Sequence, residues 1–535
     1  MYKNMETQAA REMFQATTLV ASLVTAIIVV RWGWKMVKWL WLNPKRMERV
    51  LRDQGLQANP YRLWIGDLWK MIKMQEQVKS LAIPSDHPHD LAPRVCSFHH
   101  HIVKEYGKKS FIWFGPTPKV ILMNPEQVKE LLNRNYDFTK RQFNPILKYI
   151  GSGVGSYDGD KWTKHRKIIN PAFHLDKLKN MMPTFSQSCS DMIREWETML
   201  SPLDGTCEID VWPWVKNLTK DVISRAAFGS SYEEGRKIFD LLTEQAELIM
   251  NNLLRYYIPF WRYTHAKDKR RMEEIDKTVE DLLKGIIKKK EKDMKVGRDK
   301  AIIKNNDLLG ILLESNHKEN DQSLGMSLQE VIYECKVFYV AGQETTSVLL
   351  VWTMMLLSKY PDWQTRARQE VLQVFSNQKP DYEGLSRLKI VTMILYEVLR
   401  LYPPAAWIER SVEKDMKLGN LSVPGGAEIF IPILMLHHDQ EIWGSDAKEF
   451  KPERFSEGIS KAGKGNSSVA YFPFGWGPRI CIGQNFALLE AKMAVSLILQ
   501  RFWFELSPSY SHSPSLVITL KPEHGVHVIL HKLIQ

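Results

Sequence analysis

The sequence feature that most constrains the structure of this chain is a glycine- and proline-rich segment, Phe474–Gly483. It reads FGWGPRICIG and delivers one cysteine, Cys481, to the start of a helical pattern that begins near Gln484. Glycines at 475 and 477 lack a Cβ, so the backbone can run close under a flat group, and Gly483 leaves room beside the sulfur. Amide groups and the dipole at the helix start favour an ionised sulfur. The segment therefore predicts a thiolate that binds a metal ion and is shielded from water by Phe474.

The residues around Cys481 make this pattern specific. A lone cysteine in a long chain is usually an inert buried residue. Here Arg479 lies two residues before the sulfur, where its guanidinium can reach an anionic edge group of a cofactor. The segment resembles the haem-binding loop of the cytochrome P-450 superfamily, the haem-thiolate monooxygenases. The resemblance implies haem b as cofactor, with Cys481 as the fifth iron ligand that donates electron density and favours O–O cleavage.

Composition and charge limit the compartment and the partners. The chain has 535 residues, of which 44% are hydrophobic, so it can bury a large core. Its five cysteines are odd in number and widely spaced, which favours a reducing compartment over a disulfide framework. The formal net charge of +12 indicates an acidic partner or an anionic membrane surface. Nucleic acid is the less favoured alternative, because the basic residues are dispersed and no nucleic-acid module accompanies them.

The N-terminal segment predicts a membrane anchor. Residues 14–30 are almost wholly apolar, and a stretch rich in tryptophan, lysine and arginine follows. We expect a lumenal N-terminus at 1–13, a transmembrane anchor at 14–30, a basic aromatic linker at 31–62 and a catalytic domain at 63–535. A cleaved secretory signal is the alternative, but the segment lacks a clear cleavage site. The excess of downstream basic residues places the large domain in the cytosol, on the endoplasmic reticulum membrane.

Two further segments narrow the resemblance to one plant clan. At Gly55–Arg62 the chain lacks the proline-rich hinge that membrane-bound relatives often carry, and it has the sequence DLLGILL at Asp307–Leu313. Both features resemble the clan of the superfamily that includes secologanin synthase and several triterpenoid oxidases.

Trp162 and Arg166 are four residues apart and so share one face of a predicted helix. An aromatic residue and a cation at this spacing usually form only a helix surface. In this chain they match the segment of the family whose tryptophan and arginine bind a haem propionate. The guanidinium fork suits a carboxylate of this kind.

A long apolar helix is predicted from Ser327 to Lys359. Ser327 and Glu330 form a capping box at its start. Its length would allow a second membrane span, but Glu344 lies near its centre, and a carboxylate there would cost roughly 2.5 kcal/mol or more in lipid. We therefore expect a buried core helix.

The centre of that helix reads AGQETT, at Ala341–Thr346. A hydroxyl such as that of Thr345 can bond back to the helix backbone and open it locally, which would make room for O₂ and water. A threonine pair inside a helix is more often structural. The match to the family pattern implies that Glu344 and Thr345 relay the protons that reductive O₂ activation requires.

Glu397 and Arg400 form an i, i+3 pair that by itself predicts only a surface ion pair. Together with Arg454, the two residues resemble the Glu/Arg/Arg triad that fixes the framework behind the cysteine loop in this family. The segment Pro403–Arg410 should form a turn and a strand that line the haem pocket. Trp407 replaces a basic residue or histidine of many relatives, so a propionate partner from this segment stays unassigned.

The motifs together imply a mainly α fold with a small β-rich lobe, the cytochrome P-450 fold, on a single N-terminal membrane anchor. The implied activity inserts one oxygen atom of O₂ into an apolar small-molecule substrate, a plant specialised metabolite or hormone such as a triterpenoid or an iridoid. Electrons would come from NADPH through a separate flavin-containing reductase that docks on the basic surface. A haem-thiolate isomerase or dehydratase that uses no O₂ and a non-enzymatic haem protein are the alternatives.

Overall fold

The computed structural model describes residues 2–79, 89–140, 145–149, 151–203, 205–230, 232–255, 266–299, 307–316, 325–464 and 470–533. Most of these residues are helical, and the strands form small, separate sheets. The predicted fold class, mainly α with a small β-rich lobe, is confirmed.

The α-helices, numbered in chain order, are α1 Tyr2–Val37, α2 Asn43–Arg52, α3 Leu68–Lys79, α4 Ala92–Val95, α5 Ser97–Tyr106, α6 Pro125–Asn133, α7 Gly159–Ile169, α8 Leu175–Met199, α9 Val211–Phe228, α10 Tyr232–Asn252, α11 Ala266–Asp299, α12 Leu308–Asn316, α13 Leu328–Lys359, α14 Pro361–Phe375, α15 Tyr382–Arg387, α16 Ile390–Leu401, α17 Ile433–His437, α18 Gln440–Trp443 and α19 Gln484–Arg501. A π-helical turn at Lys38–Leu42 joins α1 to α2.

The strands are β1 Ser110–Phe114, β2 Thr117–Ile121, β3 Phe138–Thr139, β4 Thr206–Asp210, β5 Ile408–Val412, β6 Met416–Leu418, β7 Leu421–Val423, β8 Glu428–Ile431, β9 Phe502–Leu506, β10 Pro514–Leu516, β11 Leu520–Pro522 and β12 His527–Lys532. The largest sheet has the order β1-β2-β8-β5-β3 and the next β4-β12-β9, while β6-β7 and β10-β11 form hairpins. The strand predicted within Pro403–Arg410 corresponds to the start of β5.

The N-terminal apolar helix is a candidate membrane anchor. Residues 13–52 form one helical stretch long enough to cross a bilayer, and none of its most apolar window is buried in the protein. The first part of the predicted linker is thus helical, because α1 runs through the π-helical turn into α2. Leu51 of α2 is fully buried in a small core with Tyr61 and Trp113, and Tyr61 Oη donates to the Leu40 carbonyl over 2.8 Å. The anchor helix is therefore joined directly to the folded domain.

Helix α13 crosses the core, as predicted. Its N-cap Ser327 and Glu330 form the expected capping box. It is apolar enough to pass as a membrane span, but 72% of its most apolar window is buried inside the protein. At its centre, a Cβ on Gly342 would lie 2.7 Å from the Ile223 side chain of α9. The glycine therefore permits the close contact between α9 and α13.

The predicted triad of Glu397, Arg400 and Arg454 is assembled behind the cysteine loop. Glu397 and Arg400 are both fully buried, and Arg400 donates to the two Glu397 oxygens over 2.7 Å each. The Arg454 Nε lies 3.7 Å from Glu397 Oε1. The Lys451 backbone N–H donates to the same oxygen over 2.9 Å. The triad thus ties α16 to the segment that precedes the cysteine loop.

Candidate active site

The segment Phe474–Gly483 is a tight loop that leads into α19. The Cys481 backbone N–H donates to the Phe474 carbonyl over 2.8 Å. Glycines 475 and 477 have φ values of +75° and +69°, which L side chains rarely adopt. A Cβ on Gly477 would lie 2.6 Å from the carbonyl oxygen of Leu132 in α6. Position 477 is therefore in close contact with α6, and the predicted approach of this backbone to a flat group stays a prediction.

Cys481 differs from the other four cysteines in its exposure. Cys96, Cys189 and Cys335 are buried and Cys207 is half-buried, whereas Cys481 is exposed. Protein nevertheless surrounds the sulfur closely enough that burial raises the pKa of the thiol, against the opposing effects of the Gly483 N–H, Arg166 and Lys140. The helix start thus acts in the predicted direction but does not ionise the thiol by itself. A metal ion bound to the sulfur would displace the proton.

Arg479 lies over the ring of Trp162, with its guanidinium carbon 4.5 Å from the ring centroid. Its Nη1 donates to the Tyr157 carbonyl over 2.8 Å, and its Nη2 donates to the Asp158 carboxylate. Its Nε is buried and has no hydrogen-bond partner among the described residues. A buried N–H without an acceptor is costly. The arrangement therefore fits a further anionic group at this position.

Arg166 lies one helical turn after Trp162 on α7, as predicted. Burial lowers the pKa of its guanidinium, and the nearby Cys481 opposes this effect. The Arg166 guanidinium has no hydrogen bond or ion pair within the described parts of the chain. The structure brings Arg166, Trp162, Arg479 and Cys481 into one neighbourhood, and their binding of a cofactor stays a prediction.

Two cations of this neighbourhood were missed from the sequence. Lys140 follows β3, and burial together with Arg410, Arg479 and Arg166 lowers the pKa of its ammonium to about 7. Arg410 lies in β5, and burial and then Arg479 lower the pKa of its guanidinium to about 10. Lys140 is remote from every motif in the sequence, so nothing there indicated it. Arg410 is the last residue of the segment predicted to line the haem pocket. Its place in that segment was the one sequence feature that could have indicated it.

We call Lys140, Arg166, Arg410 and Arg479 the cation cluster. Asp158 is the carboxylate that acts on these cations, and Cys481 and Tyr136 would add negative charge only when ionised. The cluster therefore carries more positive than negative charge at neutral pH, even though Lys140 is then only partly protonated. Mutual repulsion of buried cations is unfavourable unless further anions are bound. Bound carboxylates would offset this excess.

Glu344 and Thr345 lie at the centre of α13. Thr345 Oγ1 donates to the Ala341 carbonyl over 2.8 Å, the back-bond that the sequence predicts. The helix nevertheless remains α-helical throughout Leu328–Lys359, so no local opening is present. Glu344 accepts from Thr519 Oγ1 over 3.1 Å and from Gln343 Nε2 over 3.2 Å. Thr519, from the β10–β11 hairpin, was not predicted.

The chain matches known proteins over nearly its whole length. The family model described as Cytochrome P450 matches residues 91–527. The chain belongs to the cytochrome P450 family. It is 57% identical over 528 residues to an 11-oxo-beta-amyrin 30-oxidase of Glycyrrhiza uralensis, covering 97% of this chain and 98% of the relative. Identity to an 11-oxo-beta-amyrin 30-oxidase of Medicago truncatula is 54% over 535 residues, 97% of this chain and 99% of the relative. Cytochrome P450 72A68 of Medicago truncatula is 56% identical over 516 residues, 96% and 97% of the two chains.

Membership of the cytochrome P450 family, with relatives named as oxidases, makes this protein a haem-thiolate monooxygenase. The predicted family and plant clan are thereby confirmed, and the isomerase and non-enzymatic alternatives are not supported. The cytochrome P450 family implies haem iron, and the residues of this chain fit that group. An exposed thiol could bind the iron, and the propionates suit a cation cluster with excess positive charge and a buried Arg479 N–H that has no acceptor among the described residues.

The sequence analysis of this cytochrome P450 also singled out two aromatic residues, Phe474 and Trp407. Phe474 is half-buried and packs against the core, and its carbonyl accepts from Cys481, so its side chain as a water shield stays a prediction. Trp407 packs against Phe430, with ring centroids 5.5 Å apart. In the segment Pro403–Arg410, the cation that joins the cation cluster is Arg410, three residues after Trp407.

Proposed function

We propose that this cytochrome P450 oxidises an apolar triterpenoid. The observation that carries the proposal is the near full-length identity, 54–57%, to two relatives named 11-oxo-beta-amyrin 30-oxidase. In the balanced reaction, substrate, O₂, NADPH and one proton give hydroxylated substrate, water and NADP⁺. Repetition at the same carbon would give an aldehyde or an acid.

In this proposal, the Cys481 thiolate would hold the iron of haem b, and the cation cluster with Trp162 would hold its propionates. Bound haem supplies O₂ activation and the oxidation of an unactivated C–H bond. The protein supplies the electron-donating sulfur and a fixed orientation. Arg479 is suited to a propionate because its Nε has no acceptor, while its two other nitrogens are already held by Tyr157 and Asp158.

Glu344 and Thr345 are proposed to deliver protons during O₂ reduction. An acid and a hydroxyl in sequence can pass a proton if successive donors and acceptors come within hydrogen-bond reach. The Thr345 hydroxyl is half-buried and uses its own proton in the bond to Ala341, so its oxygen can accept a proton from another donor. Glu344 is the residue before it on α13.

We propose that the N-terminal helix anchors the protein in the endoplasmic reticulum membrane with the catalytic domain in the cytosol. Electrons from NADPH would arrive through a separate flavin-containing reductase. The net charge of +12 favours an acidic docking partner on the cytosolic side. The basic and aromatic stretch after residue 30 suits the cytosolic membrane interface.

The test is expression in microsomes with a cytochrome P450 reductase and a panel of triterpenoids and iridoids, with products identified by mass. We expect a product 16 mass units heavier than a triterpenoid substrate, formed only with NADPH and O₂. Oxidation of iridoids alone would contradict the substrate class. Thr345→Ala should retain haem and substrate binding but yield about 100-fold less product per NADPH, the lower end of the usual range for a lost proton-transfer group. Unchanged coupling would contradict its role.

A further inference from the structure

The hydrogen bond between Thr519 and Glu344 joins the C-terminal hairpin to the centre of α13. Thr519 Oγ1 donates to Glu344 Oε1, and the amide of Gln343 donates to the other oxygen. Thr519 is 4% exposed, while Glu344 is only half-buried. Each carboxylate oxygen therefore has one neutral donor, and the donor from Thr519 comes from a residue 175 positions away.

The hairpin that carries Thr519 is fixed to the helix that carries Glu344. Strands β10 and β11 pair with Leu516 opposite Leu520, so Thr519 lies in the three-residue turn between them. The indole N–H of Trp352, on α13, donates to the Leu520 carbonyl over 2.6 Å. The Leu520 N–H donates to the Pro404 carbonyl over 3.1 Å. The backbone next to Thr519 is therefore held from both sides, and its hydroxyl has a fixed position relative to Glu344.

We propose that Thr519 is a positioning residue for Glu344. Its hydroxyl holds the carboxylate in the orientation from which Glu344 passes protons towards Thr345. A glutamate side chain rotates about several bonds, and a proton relay works only when donor and acceptor remain within about 3 Å. Fixing the carboxylate from a second structural element removes that freedom. This inference rests on the proton-delivery role proposed for Glu344.

The alternative is that Thr519 merely satisfies a buried hydroxyl. Removing the hydroxyl would then change stability without changing how electrons are used. Thr519→Val preserves the shape of the side chain and removes the donor, and Thr519→Ser preserves the donor and removes a methyl group. Thr353→Val is the matched control. Thr353 is buried as well and lies on α13 itself, and its hydroxyl donates to the Leu349 carbonyl one turn earlier, its one partner among the described residues.

The measurement is the fraction of consumed NADPH that is recovered as hydrogen peroxide by the full-length protein in reductase-containing vesicles. Uncoupled turnover converts NADPH, one proton and O₂ into NADP⁺ and hydrogen peroxide, so it is detected even without an identified product. The triterpenoid that gives the largest spin-state change serves as ligand. The thermal midpoint and the reduced carbon-monoxide spectrum are recorded for each variant.

We expect Thr519→Val to raise the fraction of consumed NADPH recovered as hydrogen peroxide by up to about fivefold, the rate factor of one ordinary hydrogen bond. Thr519→Ser and Thr353→Val should behave like the parent. In a Glu344→Gln background, Thr519→Val should have no further effect, because the two changes act through one group. Additive effects, or normal coupling of Thr519→Val beside an uncoupled Glu344→Gln, would overturn this inference alone. Normal coupling of Glu344→Gln would instead overturn the proposed role of Glu344 itself.

Discussion

Arg400 donates from Nε and Nη2 to the two carboxylate oxygens of Glu397, over 2.7 Å each, and neither side chain is exposed. Arg400 also donates to the backbone carbonyls of residues 437, 447 and 449. The pair therefore connects α16 to the chain that leads into the cysteine loop. The attraction between two buried charges offsets little more than the cost of desolvating them. The pair therefore matters chiefly because it fixes the positions of the segments that it connects.

We predict that Glu397→Gln prevents haem incorporation. The change leaves the buried charge of Arg400 uncompensated, at a cost of about 3–5 kcal/mol, while Arg454 keeps its ion pair with Asp446. The Soret absorbance per mole of protein should fall to near zero. Glu453→Gln, on the same segment, is the control, because its side chain is 50% exposed and pairs at the surface with Arg366. Normal haem content in Glu397→Gln would contradict the framework role of the triad.

We predict that Lys140→Gln weakens haem retention. If Lys140 belongs to the group that binds the propionates, loss of its charge should speed haem transfer to an excess of apomyoglobin about tenfold, which corresponds to one charge-assisted hydrogen bond. Lys292→Gln removes an exposed lysine of α11 and should transfer haem at the parental rate. Equal rates for the two variants would exclude Lys140 from the propionate site.

The sequence predicted those features that follow from local chemistry. The capping box of Ser327 and Glu330 and the start of α19 near Gln484 depend on residues close together in the chain, and the structure has both. Lys140 and Thr519 were missed because they reach the site only through tertiary packing. Neither belongs to a motif, and no local pattern distinguishes them from other lysines and threonines.

The reason assigned to Gly477 illustrates the same limit. The sequence correctly required a residue without a Cβ, but the atom that a Cβ would strike belongs to Leu132 of α6. Periodicity and spacing reveal that a position is crowded. They do not identify a neighbour that is hundreds of residues away.

We predict that Gly342→Ala destabilises the protein by about 1–3 kcal/mol, because its Cβ would lie 2.7 Å from the Ile223 side chain and force α9 away from α13. Gly285→Ala is the matched control on exposed helix α11, where a Cβ would have no neighbour within 4 Å. That change should be neutral or stabilise by up to about 1 kcal/mol. The thermal unfolding midpoints of the two variants measure these effects. Shifts of the same sign and size in Gly342→Ala and Gly285→Ala would contradict the crowding at Gly342.

We predict a pH-dependent contribution from Glu330. Burial alone would raise the pKa of this carboxyl, but the Ser327 N–H and Lys161 outweigh burial and lower it from 4.5 to about 2. The folded state therefore binds the proton less readily than the unfolded state. Its stabilising contribution is complete above pH 4.5 and is lost as the pH falls towards 2.

Glu330→Gln should cost about 2 kcal/mol at neutral pH, allowing for the half-exposed Lys161, and the difference from the parent should shrink between pH 4.5 and pH 2. Urea unfolding followed by circular dichroism measures it. Glu457→Gln, in an exposed pair with Lys461, should have no effect at any pH. If the difference in unfolding free energy between Glu330→Gln and the parent grew as the pH fell, the predicted lowering of the Glu330 pKa would be contradicted.

The bond between the Cys481 sulfur and haem iron is the central claim, and the reduced carbon-monoxide difference spectrum of purified protein tests it most directly. The parent should show the red-shifted Soret band of thiolate ligation, and Cys481→Ser should lose it. Cys207→Ser, at a half-buried cysteine of β4, should retain the band. A thiolate band that survives in Cys481→Ser, or a parent protein without one, would contradict the account.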